Sequence, residues 1–191
     1  MVTSKPALHK IKKTTYKDIN LGTIPSLVGF TGLFSSYTMD PKEYDVVKGS
    51  LRPKNQAKDA YILSSLTQSD VSAATCKENG QKYEITLTIK GGAISQTSNG
   101  SIGKYQNDFE NISETIASSA KDGITADSFT GNVNSASAYI IADKTTKQIT
   151  AMKFSSEVTY IAKNPRVDGT LYTTQVKYTA VTTSEFSNIV Y

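Results

Sequence analysis

The chain has 191 residues, of which 38% are hydrophobic and 20% charged, a balance too apolar for disorder and too polar for a membrane protein. One Cys (Cys76) and one His (His9) exclude a disulfide framework, a Cys-based zinc site and a multi-histidine metal cluster. Lys plus Arg outnumber Asp plus Glu by 21 to 17, for a net charge of +4; only Arg52 and Arg166 are arginines, so the clustered bidentate contacts of nucleic-acid readers are missing. Residues 1–22 show no sustained period and read as an N-terminal arm or a first edge strand, ahead of a single α+β domain over 23–191. Their basic cluster, His9-Lys10-Ile11-Lys12-Lys13, reads as a solvated mobile arm, with contact to nucleic acid or an anionic surface as the alternative.

Thr23-Ile24-Pro25 has the form of a helix start, Thr at the cap and Pro just inside it. Leu27, Val28, Phe30, Leu33, Phe34 and Tyr37 then follow with few polar breaks. Such a segment is a core helix, or else lines a ligand or touches a membrane, and it ends before Asp40-Pro41. Further on, Tyr83, Ile85, Leu87 and Ile89 alternate with polar residues, as a half-buried strand requires. Asn79-Gly80 precedes them, a type I′ turn signal, so Val71–Lys77 and Lys82–Lys90 form a hairpin closed by Gly91-Gly92. Residues 93–104 read as a loop.

A second helix is expected from Asn107 or Asp108. Phe109, Ile112, Ile116 and Ala120 make its apolar stripe, Lys121 lies in its last turn and Gly123 just past it. The remainder reads as strands: Ala138–Ala142, a polar turn at 143–147, Ile149–Ala162, turns at Asn164-Pro165 and Asp168-Gly169, then Thr170–Thr182. Met152, Phe154, Val158 and Tyr160 share one face of their strand. Tyr172, Val176, Tyr178 and Ala180 share one face of the next. Three such strands make an antiparallel meander with one side exposed. The expected architecture is a long-stranded, curved, half-barrel-like antiparallel sheet packed on one or two helices.

The segment Ala138–Met152, two strands around Asp143-Lys144-Thr145-Thr146-Lys147, resembles a hairpin of extracytoplasmic bacterial proteins with a helix-in-curved-sheet fold. These include the LolA- and LppX-like lipoprotein carriers and the tubular lipid-binding domains. The resemblance covers 137–180 and implies an apolar groove between sheet and helix that holds an acyl chain. The abundance of Ser (22) and Thr (24), with no Trp, likewise resembles secreted or cell-surface proteins of Gram-positive bacteria. Met1–Lys5 lacks the apolar core of a signal peptide, so the expected location is extracellular with a leader already removed, cytosolic being the alternative. No stretch reaches the roughly 20 apolar residues of a spanning helix.

No P-loop, dinucleotide fingerprint or calcium loop is present. A catalytic triad would have to use His9, and Cys76 reads as a small strand residue. The expected function is therefore non-enzymatic, without cofactor, metal or nucleic acid. Two classes stay open. One is a carrier of a hydrophobic, lipid-like ligand lined by Leu27, Phe30, Leu33, Phe34, Met152, Phe154, Tyr172 and Val176. The other is a structural or adhesive surface module that binds protein or glycan.

Overall fold

The structure, a computed structural model, describes residues 6–25, 41–48, 65–105, 112–121 and 123–191. These are mostly antiparallel sheet. The strands are β1 (Ala7–Asn20), β2 (Lys42–Val46), β3 (Val71–Asn79), β4 (Lys82–Ile89), β5 (Gly92–Ile94), β6 (Ile124–Thr125), β7 (Ser128–Asp143), β8 (Ile149–Lys163), β9 (Arg166–Val167), β10 (Thr170–Leu171) and β11 (Gln175–Val190). The main sheet runs β2-β1-β11-β8-β7-β4-β3, with β5 also on β7; β10-β9-β6 form a second, small sheet. The expected meander is present as β7-β8-β11. Among the described residues α-helix is confined to α1 (Ile102–Tyr105) and α2 (Ile112–Lys121), which give the core Ile102 and Ile112, both fully buried. The long antiparallel sheet was expected; its closure into a half-barrel and a helical layer packed on it are not features of the described residues. The expected helix with Leu27, Phe30, Leu33 and Phe34 lies outside them.

Alternation builds the core. Along β8, Met152, Phe154, Ser156, Val158, Tyr160 and Ala162 are buried, while Lys153 between them is exposed. Stacked Tyr160 and Tyr178 and edge-on Phe154 and Phe186 join β8 to β11 on that face. Strands of this length twist, and bulges sharpen the twist. Register slips occur between Lys17 and Asn20 of β1, and between Ala7 and His9 opposite Val190 and Ser187 of β11. At these slips sit Asp18 and Asn188, both with positive φ (53° and 52°). Asp and Asn are among the few side chains that tolerate that backbone.

The sequence expectations need five corrections. The basic cluster is no mobile arm: it lies within β1, which pairs with β11 on one side and β2 on the other, and Lys10 is fully buried. A lysine stem is apolar enough to enter a core, and its charge concealed the strand. At the β3–β4 hairpin Asn79 pairs with Lys82, and only Gly80 of the loop Gly80-Gln81 has positive φ. That is the pattern of a turn with Gly in first position, not of type I′. The turn with two positive φ values is Asp168-Gly169 (48° and 82°), which joins β9 to β10, and the strand expected from Thr170 is broken at 172–174, between β10 and β11. Finally, β11 runs on to Val190, and residues 102–105, read as loop, are α1.

Gly91 and Gly92 do more than close a hairpin. β4 pairs with β7 over Ser137–Asp143 and β5 pairs with it over Gly131–Val133, so the two lie end to end along one edge of β7. Between them β7 slips register at Val133–Ser135. A Cβ at Gly91 would run into the Val133 carbonyl oxygen. Gly91→Ala is expected to cost about 1–3 kcal/mol through overpacking, read as a lowered urea midpoint with an unchanged m-value.

Candidate interaction surface

The face of the sheet turned away from the core is polar and continuous across strands. Lys13 of β1 lies opposite Thr183 of β11, which lies opposite Ser155 of β8; Ser155 faces Ser137 of β7, and Ser137 faces Thr88 of β4. The neighbouring row reads Ile11, Glu185, Lys153, Tyr139, Thr86 and Thr75 across six strands. Tyr139 is the large ring exposed on it, at 38%. Its hydroxyl pKa is raised by desolvation first and then by the negative charge of Glu84.

Hydrogen bonds order this face. Lys17 Nζ donates to Glu157 Oε2 at 2.8 Å. Asn134 Nδ2 donates to Glu157 Oε1 at 3.3 Å and to Thr159 Oγ1 at 2.8 Å. The Thr159 and Thr179 hydroxyls are 3.0 Å apart, and Lys153 pairs with Glu185 at 2.7 Å. The hydrogen bond with Glu157 raises the Lys17 pKa, and the same bond, helped by Asn134, lowers that of Glu157. Both groups are therefore charged at neutral pH, suited to holding a polar partner and poorly suited to passing protons.

The buried charges serve the scaffold. Asp70, 4% exposed, is the last residue of a single 3₁₀ turn capped by Thr67. Its Oδ2 accepts from Thr67 N (2.9 Å) and Oγ1 (2.7 Å), its Oδ1 from Ser101 Oγ (2.9 Å) and Lys104 Nζ (2.8 Å). The Lys104 bond, followed by those from Thr67, holds its pKa far below the ordinary carboxylate range. With all its contacts made inside the protein, Asp70 ties residues 65–70 to α1. The Thr67-x-x-Asp70 spacing is that of a capping box, a sequence signal that passed unread. Lys10 sits between the rings of Tyr44 (5.7 Å) and Phe186 (5.3 Å), at cation–π distances.

Asp127 beside Arg166, Asp143 under the Thr146 amide and Glu78 beside Lys144 also have lowered pKa values. A carboxylate with a folded pKa below its unfolded value stabilises the protein above the unfolded value and loses that contribution as the pH falls. Unfolded Asp and Glu titrate near 4. Urea midpoints should hold above about pH 5 and drop steadily below about pH 4. Asp70→Asn should lower the midpoint at neutral pH and flatten the acid slope.

The four described members of the ligand-lining set do not meet. Met152 and Phe154 of β8 lie opposite Phe186 and Ser184 of β11, whereas Val176 lies opposite Ala162. Met152 and Ala162 are ten residues apart on one strand, about 33 Å at ~3.3 Å per residue. Tyr172 stays with the Val176 end, its amide on the Pro165 carbonyl. The structure thus brings Met152 to Phe154 and Tyr172 toward Val176, but not one pair to the other. Among the described residues no cluster of metal-ligating side chains occurs, and no helix is long and apolar enough to cross a membrane. No known family model, curated protein or solved structure matches the chain.

Proposed function

We propose that the protein is a non-catalytic extracellular or cell-surface module that binds a partner protein through the polar face of its sheet. The observation that carries this reading is the ordered run of Lys, Thr, Ser, Asn and Glu across β1, β11, β8, β7 and β4, fixed by the Lys17–Glu157–Asn134–Thr159 network. Side chains already held in place lose little freedom on binding. A protein suits this face better than a glycan: its charges alternate in sign, and Tyr139 is the one ring in its central row, too little for a sugar-stacking platform. Interface energy concentrates on Tyr and Arg anchors, which makes Tyr139 with neighbouring Lys153 the expected centre.

The test compares fluorescently labelled wild type with a Tyr139→Ala, Lys153→Ala double variant for saturable binding to cells and immobilised extracellular proteins. Loss of binding at an unchanged unfolding midpoint supports the reading; equal binding by the variant overturns it. The lipid-carrier reading is separated by native mass spectrometry of the purified protein. A co-purified lipid displaced by Phe154→Trp would favour a carrier working at the Met152–Phe154 end of the sheet.

A further inference from the structure

The two ends of the main sheet are built differently. At one end β2 has five residues, three of them the charged Lys42, Glu43 and Asp45. Short, charged edge strands are a usual defence against pairing with other chains. At the other end β3 has nine residues, and Ser72–Asn79 are all exposed. Val71–Cys76 contains neither charge nor proline, and β3 has no strand beyond it among the described residues.

We propose that the free edge of β3 pairs with the same edge of a second copy of this chain, antiparallel and about a two-fold axis at Thr75. The hydrogen-bond pattern fixes which groups are on offer. Asn79 and Lys82 flank a two-residue loop, so this pair exchanges both bonds, and the pattern alternates from there. Lys77, Thr75 and Ala73 therefore bond inward to β4, and the N–H and C=O groups of Glu78, Cys76 and Ala74 point outward.

An antiparallel self-pair works only if outward groups meet outward groups. The register centred on Thr75 does this, setting Ala74 opposite Cys76 of the second copy. It also keeps Ala73–Lys77 of both copies in regular overlap, clear of the register shift between Val71 and Ala73. Lys77 faces Ala73 and Glu78 faces Ser72, so no like charges are opposed. A shift that centres the axis on Lys77 keeps the hydrogen-bond parity but opposes two lysines, which is unfavourable. The small side chains Ala73, Ala74 and Thr75 leave room for the second strand, and Ser72–Asn79 are exposed on both faces of β3. One strand pair is a small interface of the kind that forms transient complexes, so the dimer should grow in with concentration.

Sedimentation velocity over a concentration series tests this. Wild type should move from monomer toward dimer. Thr75→Lys and Thr75→Glu each place like charges on the axis and should weaken self-association several-fold, while an equimolar mixture of the two should restore it. Cys76 of one copy lies diagonally from Cys76 of the other, about 7–8 Å apart, so a short thiol-to-thiol linker should join wild type in pairs and fail with Thr75→Lys. Wild type that remains monomeric at every concentration, or a Thr75→Lys variant that associates as wild type does, overturns the proposal.

Discussion

Phe186→Ala is expected to lower unfolding free energy by about 3–5 kcal/mol, the usual cost of removing a buried phenyl ring from a core. Phe186 is 2% exposed and meets Phe154 edge-on, ring centroids 5.5 Å apart. It also forms one wall around the Lys10 ammonium. Small domains are stable by only about 5–15 kcal/mol, so the variant should sit near the edge of folding at room temperature. Urea titration of Phe186→Ala, Phe154→Ala and the double variant measures the coupling. An aromatic pair is worth about 0.5–1.5 kcal/mol beyond its buried area, so the two losses should not add. Two fully additive losses would mean that the rings act independently.

Ile102→Ala should cost about 2–5 kcal/mol, a large effect for a residue in a four-residue helix. Its side chain is fully buried, and the same short segment carries Ser101 and Lys104, which hold Asp70. The loss should therefore extend to the turn at 65–70. Amide exchange would show it as faster exchange at Asp70 and Lys90, whose amides bond to the Thr67 and Asp70 carbonyls. A stability loss below about 1 kcal/mol would mean that α1 rests on the sheet without anchoring it.

Legibility in the sequence followed local chemistry. The β7–β8 hairpin was readable because Asp143 caps its own turn, accepting from the Thr145 and Thr146 amides, and apolar alternation flanks it. The end of α2 was readable from Gly123, whose positive φ is the ordinary helix stop. The first half of β7 was not, because Ser, Thr, Asn and Gly fill most of it, and Val133 is the one strand-forming side chain among its buried positions, Gly131 being the other. The far half of β11 was hidden for a similar reason: fully buried Ser184 interrupts the apolar period. β1 was masked by its lysines. The interaction surface was legible as a polar face on single strands, but its rows depend on register between distant strands, which local pattern does not carry. Of the ligand-lining set, the four described members lie at two separate places along β8 and β11, because sharing a face says nothing about distance along a strand.

The pairing of β1 with β11, from Ala7 opposite Val190 to Asn20 opposite Lys177, sets the order in which the molecule can be completed. Non-local strand pairs of this kind are slow to form, because a long loop must close before any contact rewards it. On a ribosome working at about 5–20 residues per second, β1 leaves first and waits on the order of ten to forty seconds for the partner that lies beside it. During that interval only the five residues of β2 can pair with it, opposite Leu8–Lys12, and its other edge stays open, a hazard for aggregation. Lys10, Lys12, Lys13 and Lys17 give the waiting strand a charge that repels its counterpart on a neighbouring nascent chain. The lysines that obscure the strand in the sequence thus guard its open edge until β11 arrives.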